Sequence, residues 1–162
     1  MIASDFVGLL EFVRTKTRGL LDAIAALPDA TAALVWQPGP GRANVGWQLM
    51  HIAATDDRHL HVRMKGGEPA QPDFVKRFAG GSTPDANVPS LPEIVKYLEK
   101  SRADMLAHLL TLTEADLATK PNPAAPWVYS EWFHVLAWHE AHHHGQAHLT
   151  LNLYKNREAG AA

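Results

Sequence analysis

The chain has 162 residues, 46% of them hydrophobic, which suits one domain with a substantial core. Its formal net charge of −2 and its pI near 6.5 argue against a nucleic acid or a membrane surface as partner, because either would normally need a basic face. The absence of cysteine excludes disulfides, thiolate metal ligands and a cysteine nucleophile.

The N-terminal segment is typical of an amphipathic helix and not of a signal peptide. It lacks a basic start, and Asp5 and Glu11 interrupt its apolar run. Apolar residues at spacings of three and four predict a helix from an N-cap at Ser4 to about Leu27. No apolar stretch approaches membrane-spanning length, so we expect a soluble protein of the cytoplasm.

The middle of the chain predicts a second helix and then a long connection. A loop at residues 28–40, rich in proline and glycine and with one helical turn, precedes a helix that Asn44 caps and that runs to about Lys65. Residues 68–89 are rich in Pro, Gly, Asp and Ser but include apolar residues. Connections of this length are usually lids or disordered segments. Two interpretations stay open: a segment folded over the end of a bundle, or a loose surface loop.

The C-terminal half predicts two more long helices. Ser90-Leu-Pro-Glu93 is a capping-box pattern with proline in the first turn, which marks the start of a third helix. Thr113 can cap a short helical turn. Three prolines then interrupt the chain, and Ser130 is predicted to cap a fourth helix that runs to about Lys155.

The pattern as a whole predicts an all-α fold. No segment alternates with the period of a strand for long enough to suggest a sheet. Four long amphipathic helices with one extended connection are typical of a four-helix bundle, whose core commonly holds metal sites. We predict a single domain over residues 1–157, followed by a frayed tail at 158–162.

The fourth helix carries a cluster of histidines in the run His139-Glu-Ala-His-His-His-Gly-Gln146. Positions four apart on a helix lie within about 40° of each other, so His139 and His143 project from one face, where they can bind a divalent metal. His142 lies about 60° from His139 on the other side and is the rival of His143. If the second and fourth helices are neighbours, His51 adds a third imidazole, and three protein ligands leave a coordination position open.

Part of the same run fits the H-E-x-x-H signature of zinc proteases, with Glu140 as general base. The extended form of that signature requires glycine at position 146 and histidine at position 149, where this chain has Gln146 and Leu149. The sheet that would bind a peptide substrate is also missing from the pattern. A protease is therefore a weak interpretation.

A di-iron carboxylate bundle is a second alternative, because Glu140-Ala-His-His143 fits Glu-x-x-His. That architecture needs a second such motif and two further inward glutamates. The nearest counterpart is Asp56-Asp-Arg-His59, and Asp56 is turned away from the face that carries His51. This alternative is weak as well.

The chain resembles the DinB-like superfamily of metal-binding four-helix bundles. The resemblance rests on Gly46-Trp-Gln-Leu-Met-His51-Ile-Ala, on Trp138-His-Glu-Ala-His-His-His-Gly-Gln146, and on residues 34–38 and 113–117. It implies that His51, His139 and His143 are the metal ligands. It also implies an up-down-down-up bundle, a long connection between helices two and three, and often a homodimer.

Relatives of this fold include mycothiol-dependent maleylpyruvate isomerases and bacillithiol transferases. A dication on three histidines would lower the pKa of a bound thiol or water, and a protein without cysteine must take its thiol from outside. We therefore predict a metal-dependent thiol S-transferase acting on a small molecule. Zinc or nickel is the favoured metal, with iron or manganese as alternatives. A hydrolase using bound hydroxide and a non-enzymatic, stress-associated metal-binding bundle stay open.

Five residues are predicted to line the substrate pocket. Thr55 and Gln146 lie one helical turn from His51 and His143 and are candidates for contacts to ligands or substrate. Arg58 could meet a carboxylate on a co-substrate, although a solvated surface charge is the simpler interpretation. Apolar walls are expected from two indole side chains, those of Trp47 and Trp132.

Overall fold

The computed structural model describes residues 2–157, and the predicted tail at 158–162 lies outside the described residues. The described part of the chain is all-helical, without a strand, which confirms the predicted all-α class. Its elements are α1 (Ala3–Ala25), α2 (Ala30–Val35), α3 (Val45–Arg58), a π-helical segment (His59–Met64), α4 (Pro72–Arg77), α5 (Leu91–Leu109), α6 (Glu114–Leu117) and α7 (Tyr129–Asn156). Within residues 2–157, no helix is both long and apolar enough to span a membrane.

The four long helices α1, α3, α5 and α7 pack around a common core. Helix α3 contacts both α5 and α7, and α1 also contacts both of them. The condition for a three-histidine set, that the second and fourth long helices are neighbours, is therefore met. Helix α3 continues without a break into the π-helical segment, which ends at Met64. The end of this helical stretch is therefore close to Lys65, where the second helix was predicted to end.

Two of the predicted N-caps were wrong, because Ser4 and Ser130 lie inside the first turns of α1 and α7 and not before them. In both helices a carboxylate in the first turn binds the start of the helix instead of a serine hydroxyl. It accepts a hydrogen bond from the backbone N–H three residues earlier: Asp5 from Ile2 at 2.9 Å, and Glu131 from Val128 at 3.0 Å.

The other predicted caps are confirmed. The Asn44 side chain accepts a hydrogen bond from the backbone N–H of Trp47 at 2.7 Å, which fixes the start of α3. The backbone N–H of Ser90 donates to Glu93 at 2.9 Å, as the capping-box pattern predicts. The Thr113 side chain accepts from a backbone N–H in α6.

The apolar core has two halves. One is formed by the later part of α1 with the starts of α3 and α5 and the end of α7. The other is formed by the start of α1 with the π-helical segment, the end of α5 and the start of α7. A layer of buried polar side chains lies between the two halves, formed by Arg14, Thr17, Asp56, Arg102 and Glu140.

Ion pairs and hydrogen bonds hold this polar layer together. Glu140 accepts from Arg14 at 2.7 Å, from Arg102 at 2.5 Å and from Thr17 at 2.7 Å. Arg102 also donates to Asp56 at 3.0 Å. Two cations and two carboxylates balance in charge, which is the condition under which buried charges are tolerated. The layer links α1, α3, α5 and α7 at the level of the histidine run.

The connection after the π-helical segment is anchored at its start. The Asp57 carboxylate accepts hydrogen bonds from the backbone N–H groups of Ala70 and Gln71 at 2.8 and 2.9 Å. Helix α4 follows at once, and Phe78 just after it is buried in the core. Of the two interpretations of residues 68–89, the folded segment is therefore the one that the structure supports at residues 70–78.

Candidate metal centre

Helices α3 and α7 bring three imidazole rings together at the level of the polar layer. One ring nitrogen from each of His51, His139 and His143 lies within 4.8 Å of the others, so this group could hold a metal ion. The Nε2 atoms of His51 and His139 are 3.0 Å apart. Two ligands of a tetrahedral zinc, each about 2.0–2.1 Å from the ion, lie about 3.3 Å from each other, so the observed spacing is close to what a shared ion needs.

The outer nitrogens of two of these rings are occupied by acceptors of the protein. The Nδ1 atom of His51 lies 2.6 Å from the Phe78 carbonyl oxygen, and the Nδ1 atom of His143 lies 2.5 Å from the Oε1 atom of Gln48. Because a carbonyl oxygen only accepts, each Nδ1 must carry the proton, and each Nε2 then offers a lone pair. Metal-binding histidines are generally oriented in this way.

Burial keeps the three imidazoles neutral. It is the main cause that lowers the pKa of His139 to about 2, reinforced by the neighbouring His143 and His51. It also lowers the pKa of His143 to about 4, with a further contribution from His51. The pKa of His51 is lowered for the same reason, and its hydrogen bond to Phe78 opposes the shift only in part. Neutral imidazole is the form that binds metal, so the donor set fits a divalent cation.

Two of the predicted pocket residues, both on α3, touch the three-histidine group. The indole ring of Trp47 stacks on the His51 ring with a centroid separation of 4.8 Å and an interplanar angle of 14°. The hydroxyl of Thr55 lies 3.4 Å from the Nε2 atom of His139, beside the nitrogen that would face an ion. Both residues therefore lie against the three-histidine group, and their role in binding substrate stays a prediction.

Two of the three remaining candidates, Arg58 on α3 and Trp132 on α7, lie about two helical turns from the predicted ligand on the same helix. Arg58 is exposed at the last residue of α3. Trp132 is buried two turns before His139, and its ring contacts His59 at a centroid separation of 4.8 Å and Trp127 at 4.6 Å. Within residues 2–157, its ring contacts are thus with these neighbours and not with the three imidazoles.

The structure separates His142 from its rival His143. The His142 side chain is exposed, and its ring stacks on Trp138 with a centroid separation of 5.2 Å. Gln146 donates to the Nε2 atom of His142 at 2.8 Å and also interacts with His143. His143 points at His51, with ring centroids 4.4 Å apart, and is the histidine that belongs to the group.

Two contributors to the site were not predicted. Gln48, which orients His143, lies one turn before His51 on α3, and this spacing could have indicated it. The Phe78 carbonyl, which orients His51, is a main-chain group, so the residue types in the sequence could not have indicated it. Gly80 lies against the same ring: a methyl group added there would be 3.8 Å from the Cε1 atom of His51.

The partners of Glu140 and Asp56 in the polar layer argue against the protease and the di-iron interpretations. A protease would need Glu140 beside the metal-bound substrate, but its carboxylate is fully buried and binds Arg14, Arg102 and Thr17. Asp56, the counterpart proposed for a di-iron motif, is buried and paired with the same two arginines. Both carboxylates are thus buried and paired with arginines, and neither belongs to the three-histidine group.

The described residues are all-helical, and three of their imidazoles face each other. These two features place the protein among small helical proteins with a potential metal centre. A family model described as the DinB superfamily matches residues 9–147, which cover α1 to α7 as far as the histidine run. The protein belongs to the DinB superfamily. No curated protein matches the chain significantly.

Proposed function

We propose that the protein binds one divalent metal ion through His51, His139 and His143. The observation that carries the proposal is the pair of outer hydrogen bonds, which turn the Nε2 lone pairs of His51 and His143 toward the ring of His139. The Nε2 atom of His139 lies 3.0 Å from that of His51, so a cation that takes the place of any proton between these two nitrogens would be bound by all three rings. Zinc or nickel suits three imidazoles best, with iron or manganese as alternatives.

We infer that the bundle has the up-down-down-up arrangement implied by the family resemblance. Contacts between α1 and α7 advance in the same direction along both helices, which supports a parallel pair. Contacts between α3 and α7 and between α1 and α5 advance in opposite directions, namely Gln48–His143 with His59–Trp132, and Leu10–Arg102 with Arg18–Glu99. The pairs that support the parallel orientation are Phe6–Phe133 and Arg14–Glu140.

We further propose that the centre belongs to a metal-dependent enzyme that transfers an external low-molecular-weight thiol to a small molecule. When bound, a dication at such a site lowers the pKa of a thiol or water and favours a nucleophile at neutral pH. The chain supplies no cysteine, so the thiol must come from solution. Thr55, close to the His139 nitrogen, is placed to donate a hydrogen bond to a ligand in an open position.

Metal analysis is the first test. Protein purified without an affinity tag should contain one divalent ion per chain, and His51→Ala, His139→Ala or His143→Ala should each abolish it. His142→Ala is the matched control, because it removes an exposed imidazole from the same helix. A metal-free wild type under metal-replete conditions, or an equal loss in the His142 variant, would contradict the metal centre.

A substrate panel is the second test. Metal-loaded protein given thiols and electrophiles should consume thiol, and His51→Ala should not. Turnover of esters or amides without thiol would instead favour the hydrolase, and bound metal without any turnover would favour the non-enzymatic bundle. The homodimer and the cytoplasmic location stay predictions; light scattering of the purified protein tests the first.

A further inference from the structure

A groove between α1 and α7 lies outside the metal centre. Its volume is about 280 Å³, and its walls come from these two helices alone. On α7 it is lined by His144 and His148, which project about 140° and 180° around the helix from His139. The groove is therefore separate from the three-histidine group. Its size is close to the lower end of the roughly 300–1,000 Å³ of sites that hold small molecules.

The lining of the groove has basic side chains and no carboxylate. It includes Lys16 on α1 and Lys155 on α7, and both are exposed. Neither lysine forms an ion pair within residues 2–157, although the Lys16 ammonium group lies 5.2 Å from the ring centroid of Phe12. The nearest acid in the chain, Asp22, projects about 100° away from the lining residue Ala23. In a protein with a net charge of −2, such a groove attracts an anion.

The two lysines lie at opposite ends of the groove. Residues 126 apart in the chain face each other on α1 and α7, as the buried pair Arg14 and Glu140 shows. At this offset Lys16 is level with His142, and the Cα atom of Lys155 is then roughly 20 Å further along the helix axis. A ligand that meets both ammonium groups must therefore be elongated, with a negative charge at each end.

Apolar side chains form the floor of the groove between the lysines. Leu20 and Leu151 are buried, with 5% and 1% of their surface exposed, and Ala23 lies beside them. Asn152 and His148 are exposed on the outer wall. The middle of a ligand would thus lie over aliphatic side chains, and an apolar chain is what such a floor favours.

Gly19 keeps the groove open. It lies inside the long helix α1, where glycine is destabilising relative to alanine. A methyl group added at Gly19 would meet no atom within 4 Å, so packing inside the protein does not require glycine at this position. Because Gly19 lines the groove, a larger side chain there would occupy it. Access of a ligand to the groove accounts for the glycine.

We propose that this groove binds a small organic dianion in which an apolar chain separates two acidic groups. One acidic group lies at Lys16, the other at Lys155, and the chain lies over the buried leucines. A phosphate ion is too short to span the groove, and an organic cation would meet two ammonium groups of its own sign. The site contains none of the three predicted metal ligands. It therefore does not rest on the function proposed above.

Sebacate, a linear dicarboxylate, is the probe, titrated into the isotope-labelled full chain and followed by nuclear magnetic resonance. Saturable shifts should centre on the amides of Lys16, Leu20 and Leu151, with a dissociation constant on the order of 1 mM for so few atoms. Decanoate, which has the same chain length but one carboxylate, should bind about threefold more weakly. Because carboxylates also bind metals, the His139→Ala variant should give the same shifts in the groove.

Lysine variants test the two ends separately. Lys16→Gln and Lys155→Gln should each weaken sebacate binding about threefold, as expected for an exposed charge pair. Lys120→Gln is the matched control, because it removes an exposed ammonium group that does not line the groove, and it should bind sebacate as the wild type does. An unchanged affinity in either groove variant would overturn the proposal, as would decanoate binding as tightly as sebacate.

Glycine variants test whether the ligand enters the groove itself. Gly19→Leu should abolish the saturable shifts, whereas Gly8→Leu should not, since Gly8 lies on the same helix outside the groove. An added methyl group meets no atom within 4 Å at either position, so both variants should fold. Wild-type binding by Gly19→Leu, or an equal loss in both variants, would overturn the proposal. So would wild-type shifts that centre on the three histidines.

Discussion

The Nδ1 atom of His51 lies 2.6 Å from the carbonyl oxygen of Phe78, so a ring predicted to bind metal is oriented by the connection that follows its own helix. Phe78 ends the short helix α4, and a helix of six residues is not stable alone. Its anchors are the buried Phe78 side chain and, at the other end, the carboxylate of Asp57. Asp57 therefore supports the metal centre from the opposite side of α3.

Asp57→Asn should loosen α4 and weaken metal binding. The N–H groups of Ala70 and Gln71 donate to different oxygens of the carboxylate, so an amide in its place puts a donor against one of these two N–H groups. We expect faster hydrogen exchange at one or both of these amides and a metal affinity weaker by about tenfold, the low end of the 10–100-fold range known for lost outer contacts. Hydrogen exchange and metal titration measure both quantities.

Tyr97→Phe is the control for this prediction. It removes one hydrogen bond to Asp57 but leaves those from Ala70 and Gln71 in place. Unchanged exchange at the two amides in Asp57→Asn, or an equal loss of metal affinity in both variants, would contradict a role for Asp57 through α4.

Gln48→Met should weaken metal binding about tenfold while leaving the fold intact. The substitution keeps the approximate shape of the side chain. It removes the Oε1 atom, which lies 2.5 Å from the Nδ1 atom of His143 and accepts its proton in a hydrogen bond. Without this acceptor, the His143 ring can adopt the other tautomer and turn its lone pair away from the site. Isothermal titration with zinc measures the affinity.

Gln71→Met provides the matched control, since Gln71 is exposed and its side chain caps no helix. It should bind zinc as the wild type does. A Gln48→Met affinity equal to that of the wild type would show that His143 does not need its outer partner.

Residue spacing along single helices was enough to predict much of the site. His139 and His143 share a helix, and a spacing of four residues fixes their common face, so the pair could be predicted from periodicity alone. Placing His51 beside them required the packing of α3 on α7, which the family resemblance implied and the contacts between these helices confirm.

The buried polar layer could not be predicted in the same way. Arg14 and Glu140 are 126 residues apart in the chain, and each lies on a helix whose pattern is satisfied equally well by an exposed charge. Periodicity shows which face of a helix is apolar, but it does not show which charges from two helices meet inside. The same holds for the Phe78 carbonyl, because every residue has one.

Glu140→Gln should destabilise the protein strongly and leave metal binding intact. The substitution removes one of two carboxylates that balance the buried Arg14 and Arg102. Breaking a buried charge pair from one side typically costs about 3–5 kcal/mol. We expect that loss in the free energy of unfolding measured with urea, with one metal ion still bound per chain at low temperature.

Glu11→Gln is the control for Glu140→Gln, because Glu11 pairs with Arg18 at 3.0 Å on the surface. It should change the free energy of unfolding by no more than about 1 kcal/mol. A loss of metal in Glu140→Gln without a loss of stability would restore a direct role for this carboxylate in the metal centre.

The stability of the metal-free protein should fall as the pH decreases. Burial lowers the pKa of His139 to about 2 and that of His143 to about 4, so both stay neutral in the folded state at pH 5. In the unfolded chain they bind protons below their ordinary pKa of about 6.5. The unfolded state then binds more protons, and the free energy of unfolding falls by up to about 1.4 kcal/mol per pH unit for each such histidine.

This loss should begin near pH 6.5 and continue to about pH 4 for His143 and to lower pH for His139. His139→Gln lacks one of the titrating groups and should show a shallower dependence than the wild type. Urea unfolding with a chelator, at several pH values between 7.5 and 5, measures both slopes. A wild-type slope no steeper than that of His139→Gln would mean that this ring is protonated as easily in the fold as in the unfolded chain, which its burial between His51 and His143 argues against.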